Sequence, residues 1–241
     1  MRHAFIADVH ANADALLPVL AEIDSLGIAS VFSLGDIVGY GAEPSRCIQI
    51  IRQRNIASIV GNHDLAAVGA LSIEAFNDNA KLSAQWTGQH LTDTDKEYLT
   101  NLPLEFKNED FQLVHGAPMA PASFAYILSA DDVILAFAAM DRRLLFTGHS
   151  HVPLGFIAEG DTISGCPMGS VIVPPGARAI VNIGSVGQPR DGNPLAAFAV
   201  WDTDTNDAAV IRVKYDTEAA AQKILDAGLP PGNAYRLSLG R

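Results

Sequence analysis

The chain carries seven histidines, and five of them stand in short polar clusters with carboxylates and glycines. The clusters are Asp8-Val9-His10, Gly35-Asp36, Gly61-Asn62-His63-Asp64, His115-Gly116 and Gly148-His149-Ser150-His151. Imidazole and carboxylate are ligands for divalent cations, and imidazole also moves protons near neutral pH. Taken singly, each cluster has a plainer reading. Asp-x-His also arises where a strand-end carboxylate caps a helix, and His-x-His where a strand puts two rings on one face. Gly-Asp alone is a turn. Gly-Asn-His-Asp is a rarer string, whose plain reading is a turn running into a helix N-cap. The two cysteines, Cys47 and Cys166, cannot build a thiolate-rich site or a disulfide framework. A metal in this chain must therefore be held by histidines and carboxylates.

Each cluster follows an apolar run, and this sets the elements that must position them. Residues 4–7, 30–34 and 56–60 read as strands. A helix over 12–27 opens on Asn12 and stops at Gly27, and a helix over 44–54 has Pro44 in its first turn. The first sixty residues are thus βαβαβ, the pattern of a mostly parallel sheet. Residues 72–102 read as helical, 111–114 and 143–146 as strands, and 131–140 as a helix between them. Short strands follow at 155–158, 170–173, 179–182, 196–201 and 210–214, then a helix over 217–227. Ligands of open α/β sheets bind at the carboxyl ends of strands, so this order can bring all five clusters to one rim. Only His3 and His90 fall outside them. Trp86, Phe76 and Leu99 read as packing residues, Asn12 as a helix cap, and Asn182 as a support for the site from its strand end. One domain over 1–241 with two sheets is the expected organisation.

Composition bounds the partners. Apolar residues make up 49% and charged residues 18%, which supplies a core and excludes a disordered chain. The net charge of −11 gives no bulk attraction for nucleic acid. The N-terminus reaches Asp8 too early for a signal peptide, and no apolar run matches a membrane span. The cytoplasm is the expected location, with no membrane partner.

The five clusters in this order resemble the calcineurin-like metallophosphoesterase superfamily. Asp36-Ile37-Val38-Gly39-Tyr40-Gly41 and Gly184-Ser185-Val186-Gly187-Gln188-Pro189-Arg190-Asp191-Gly192 resemble its bacterial and archaeal branch of small phosphodiesterases and diadenosine-tetraphosphatase relatives. The resemblance covers almost the whole chain. Ala7, Met119 and Ile183 depart from the pattern, and Met119 stands where relatives often have a basic residue.

The resemblance implies a four-layer α/β/β/α sandwich, two mixed β-sheets flanked by helices. It also implies a dinuclear metal centre. One divalent ion would take Asp8, His10, Asp36 and His151; the other would take Asp36, Asn62, His115 and His149. These donors suit Mn, Fe, Zn, Co or Ni. A hydroxide bridging the ions would attack phosphorus in line, hydrolysing a small phosphate mono- or diester, a nucleotide or a dinucleoside polyphosphate. His63 would protonate the leaving oxygen or stabilise the transition-state charge, with Asp64 orienting it through the other ring nitrogen. Asp64 could equally serve the helix N-terminus. Asn62, His63, Tyr40 and Arg190 would reach the substrate, the alternative for Arg190 being a surface pair with Asp191. A nuclease of the same superfamily and a non-catalytic metal-binding scaffold are the competing readings. The acidic balance counts against the first, and the full set of histidines against the second.

Overall fold

A computed structural model describes residues 1–167 and 170–241. Three short strands, β1 (Arg2–Ile6), β2 (Ser30–Ser33) and β3 (Ala57–Ser58), run parallel. They are joined by α1 (Ala13–Ser25) and α2 (Pro44–Gln53). Asn12 Oδ1 accepts the Ala15 amide at 3.1 Å, which starts α1 by pairing one of its free N–H groups. Next come α3 (Asn62–Ala67), α4 (Asp78–His90) and α5 (Asp93–Thr100). Then follow β4 (Glu105–Lys107), β5 (Phe111–Val114), α6 (Ala130–Ala139) and β6 (Leu144–Thr147). The β-rich portion holds β7 (Leu154–Glu159), β8 (Thr162–Pro167), β9 (Ser170–Ile172), β10 (Arg178–Asn182), β11 (Ala196–Asp202) and β12 (Asp207–Val213). Two helices, α7 (Thr217–Asp226) and α8 (Pro231–Tyr235), complete the order.

The strands make two six-stranded mixed sheets, β3-β2-β1-β11-β12-β9 and β4-β5-β6-β10-β7-β8. Alternation along the strands decides what each face meets. On β1, Phe5 points between the sheets, while Ala4 and Ile6 face α1 and α2 with Leu16, Leu20 and Ile48. On β6, Leu144 and Phe146 point inward, while Leu145 lies under Val133 and Phe137 of α6. The Phe5 and Phe146 rings stack across the inter-sheet layer with centroids 4.0 Å apart. Truncating either to Ala would cost about 3–5 kcal/mol. The chain is thus a four-layer α/β/β/α sandwich, as its motifs implied. Among the described residues, no helix is long and apolar enough to cross a membrane.

The sequence expectations differ locally. Of the stretch 72–102, residues 72–77 are loop and turn, and two helices follow, because Thr92 and Asp95 form a reciprocal capping box that restarts the chain after Leu91. The pairing of β3 spans two residues rather than five: Ile59 still donates to Ser33 O of β2, but Val60 turns away to bond Pro103 O. Three elements were not anticipated: β4, β8 and α8. Apolar alternation is weak in the first two, and the last follows Pro230-Pro231.

Candidate metal centre

Asp8 and His10 follow β1, Asp36 follows β2, Asn62 opens α3, His115 follows β5, and His149 and His151 follow β6. All seven side chains are buried and converge. His151 Nε2 lies 3.3 Å from Asp8 Oδ1, and His10 Nε2 lies 3.8 Å from Asp8 Oδ1 and 3.7 Å from Asp36 Oδ2. His115 Nε2 lies 3.3 Å from Asp36 Oδ2 and 3.2 Å from Asn62 Oδ1. Two triads emerge, Asp8–His10–His151 and Asp36–His115–His149, each with its ligand atoms within 4.8 Å of one another.

The corners that carry these residues have an unusual backbone. Asp8, His10, Asp36, His149 and His151 all have φ between +47° and +67°, a region that costs non-glycine residues roughly 1–2 kcal/mol each. Such strain persists only where the surrounding fold over-determines it. Here ladder-like bonds do so: the Asp8 amide donates to Gly35 O, and the His10 amide to Asp36 O. Two glycines let the chain pass close. A Cβ on Gly61 would overlap Asp36 Oδ1, and one on Gly148 would lie 2.6 Å from Asp8 Oδ2.

Backbone groups orient the rings. His10, His115 and His151 each donate Nδ1–H to a carbonyl, of Val38 (3.1 Å), Leu34 (2.8 Å) and Gln188 (2.6 Å). A neutral imidazole has one N–H, so the Nε2 atoms of His10 and His151 are left as lone pairs aimed into the cluster, and that of His115 becomes one when its ring gives up a proton. The carboxylates are set the same way. Asp8 Oδ2 accepts the His149 amide and Asp36 Oδ1 accepts the His63 amide, while Asp8 Oδ1 and Asp36 Oδ2 are buried without a partner. Unpaired buried oxygens facing imidazole lone pairs are a fit for divalent cations.

Electrostatics follow from burial and proximity. Burial, reinforced by Asp36, raises Asp8 to about 7 despite His115. Burial also acts to raise Asp36, but His115, His63 and His10 hold it well below the usual carboxylate range. Desolvation opposes charge on His115, yet Asp36 and Asp8 raise it to about 9. Desolvation lowers His149 to about 3, helped by the charge of His115.

His63 stands beside the cluster, its ring 5.1 Å from that of His10 and 4.5 Å from that of Tyr40. Desolvation lowers it to about 4. The expected Asp64–His63 contact is not formed. Asp64 Oδ1 accepts the Val38 amide at 3.1 Å and Oδ2 the Gly61 amide at 2.9 Å, while His63 Nδ1 has no partner. Both carboxylate oxygens are taken by main-chain N–H groups, one of them at the start of α3, so Asp64 ties two site loops together. Arg190 is not paired with Asp191, which Arg212 takes instead. Its guanidinium lies 5.6 Å from the Tyr40 ring centroid, at the edge of the site. Asn12 caps α1 and also donates to Gly187 O at 2.9 Å. Asn182 donates to Gly148 O at 2.6 Å and Ser150 Oγ at 3.0 Å, bracing the loop that bears His149 and His151.

Next to the cluster is a cavity of about 330 Å³, lined by His63, His149, Tyr40, Phe76, Phe124 and Tyr126 among others. Phe76, expected as packing, packs against His63 with centroids 4.9 Å apart. Tyr126 stacks on His149 at 3.9 Å. Phe124, Tyr126 and Arg236 were missed and no local pattern marks them; Gln188 was missed although it lies in the Gly184-to-Gly192 motif. His3 and His90 lie elsewhere, against Ser30 and Trp86.

A family model described as a calcineurin-like phosphoesterase superfamily domain matches residues 1–206. An uncharacterized protein of Methanocaldococcus jannaschii is 36% identical over 244 residues, covering 99% of this chain and 98% of that protein. The crystal structure of a metallophosphoesterase from Sphaerobacter thermophilus aligns with a TM-score of 0.87 and 38% identity, covering 100% of this chain and 99% of the other. A hypothetical protein from Pyrococcus horikoshii shares the fold with a TM-score of 0.80 and 23% identity, covering 100% and 98% of the two chains.

Proposed function

The chain belongs to the calcineurin-like phosphoesterase superfamily, and from that premise we propose that it hydrolyses small phosphate esters at a dinuclear divalent-metal centre. The observation that carries this reading is the pair of unpartnered buried oxygens, Asp8 Oδ1 and Asp36 Oδ2, facing the Nε2 atoms of three histidines. Asp8, His10 and His151 would hold one ion; Asn62, His115 and His149 would hold the other, with Asp36 between them. Two such ions supply Lewis-acid charge on the phosphoryl oxygens and a hydroxide nucleophile at neutral pH. The chain's own part is positioning. The carbonyls of Val38, Leu34 and Gln188 keep the rings in the tautomer that presents Nε2. His63 faces the cavity and hydrogen-bonds the leaving oxygen as its charge develops. The aromatic side chains of the cavity exclude water from one flank and accept a flat leaving group.

Metal analysis of the purified protein, then a panel of substrates, tests the proposal. The panel compares an aryl phosphomonoester, an aryl phosphodiester, cyclic nucleotides and diadenosine tetraphosphate, each with Mn, Fe, Zn, Co or Ni. Hydrolysis of at least one ester that is lost with EDTA is the expected result. No hydrolysis with any of these ions would move the chain to the scaffold reading.

A further inference from the structure

The side-chain oxygen of Gln188 accepts two guanidinium groups at once, Arg190 Nη2 at 2.8 Å and Arg236 Nη1 at 3.0 Å. That oxygen is neutral, so it orients both cations without offsetting either charge. Among the described residues, the salt bridges of arginine with side-chain carboxylates engage Arg46, Arg54 and Arg212, and none reaches Arg190 or Arg236. Arg190 Nε is buried and has no hydrogen-bond partner. Two half-buried like charges sharing one neutral acceptor repel each other, and Arg190, whose Nε has no partner, gains from an anion that joins them.

The pair is also fixed and placed. Arg236 Nε donates to a main-chain oxygen of Arg241, the last residue of the sequence, and this carboxylate oxygen holds its fork in one orientation. The helix α8, which ends just before Arg236, is pinned by Asn233, whose Nδ2 bonds Tyr40 O at 3.3 Å and Ser83 Oγ at 2.9 Å. Gln188 and Arg190 are joined to the metal cluster by main chain: Gln188 O accepts from His151 Nδ1, and the Arg190 amide donates to His151 O at 3.2 Å. Tyr40 lies beside both Arg190 and His63, with one face toward the Arg190 guanidinium and its ring also lining the cavity. An anion held by the two forks would therefore sit beside the phosphoryl group that the metal centre positions.

We propose that Arg190 and Arg236, yoked by Gln188, form an anion subsite that takes a second phosphate adjacent to the one cleaved. The preferred substrates would then carry two neighbouring phosphates, as a phosphoanhydride or a diphosphate-linked ester does. This rests on the phosphoesterase reading for the identity of the first phosphate. Planar forks recognise phosphate in pairs, and a lysine cannot reproduce that geometry.

The test is calorimetric titration of the full chain with methylenediphosphonate and with orthophosphate, at one fixed saturating Mn²⁺ concentration, so that chelation in solution cancels between variants. The wild-type chain should prefer the diphosphonate, and Arg236→Gln should lose about tenfold of that preference. Arg236→Lys, which keeps the charge, should retain part of it and guards against a Gln variant that folds poorly. A preference unchanged in Arg236→Gln, or absent from the wild type, overturns the subsite. Phenyl phosphate hydrolysis by the wild type separates the two readings. Hydrolysis without an Arg236-dependent preference removes the subsite alone. An Arg236-dependent preference without any hydrolysis supports the subsite and removes the hydrolase.

Discussion

The Nε2 atoms of His10 and His151 lie 3.0 Å apart, and neither ring has a proton to place between them. Each gives its one N–H to a carbonyl, of Val38 and of Gln188 respectively. Two lone pairs thus point at each other beside Asp8 Oδ1, an arrangement that a cation relieves. Mn²⁺ or Zn²⁺ at a hundredfold excess over Kd should then stabilise the fold by about 2.7 kcal/mol. For a chain of this size that raises Tm by roughly 5–10 °C in a thermal melt. EDTA should reverse the shift, and His151→Ala should remove most of it. A melt indifferent to metal and chelator would speak against a cation site.

His63→Ala should lower turnover by about a hundredfold or more while the metal content stays near that of the wild type. The loss should be larger for a poor leaving group than for p-nitrophenolate, because the poorer one needs more help as its charge develops. Rates within a few-fold of wild type on an alkyl ester would remove His63 from the chemistry.

Asp64→Ala leaves the Val38 and Gly61 amides without an acceptor in a buried setting. The expected cost is about 1–3 kcal/mol for each unpaired group, read as a lower midpoint in urea. Turnover of the folded protein should fall less than in His63→Ala, with no change in the shape of its pH profile. A loss as deep as that of His63→Ala, with a displaced pH profile, would restore Asp64 as the partner of His63.

Lys223 on α7 binds Asp14 of α1 at 2.7 Å and Glu43, the residue before α2, at 2.9 Å. Burial acts to raise Glu43, yet Lys223 and Arg46 bring it below its ordinary 4.5. A carboxylate lowered on folding stabilises the fold above its unfolded value and loses that contribution as pH falls through the folded one. Lys223→Met should therefore be destabilised by about 1 kcal/mol or less at neutral pH, since the lysine is partly exposed. The gap between the two urea midpoints should narrow below pH 4.5. A gap that is constant down to pH 3 would mean the cost is one of packing.

The metal-capable residues were legible because each one closes an apolar run, and strand ends of an α/β sheet share a rim. Asp8, Asp36 and His115 could be placed from that alone. The role of Asp64 was not, because a carboxylate beside a histidine and one that caps a helix look the same in sequence; only the Val38 amide, twenty-six positions away, decides between them. The cavity walls were illegible for a related reason. Phe76, Phe124 and Tyr126 sit in loops with no period, and the rings they meet, His63, His115 and His149, come from α3 and from the turns after β5 and β6. Arg236 lies further still from its partner, 48 positions from Gln188. The β8 strand was missed because Gly165 and Pro167 punctuate it like a loop.

The left-handed corners at Asp8, His10, Asp36, His149 and His151 have a bearing on which ion the cell installs. Their shape comes from the sheets and the main-chain bonds that anchor them, so the cage precedes its contents. A cage whose geometry is set by the fold would take Mn, Fe, Zn, Co or Ni into the same frame, ranked by the affinity order common to such donors. Identity would then be a matter of cellular supply. Protein made in media of different metal content should come out with different ions, identical backbone and different catalytic rates.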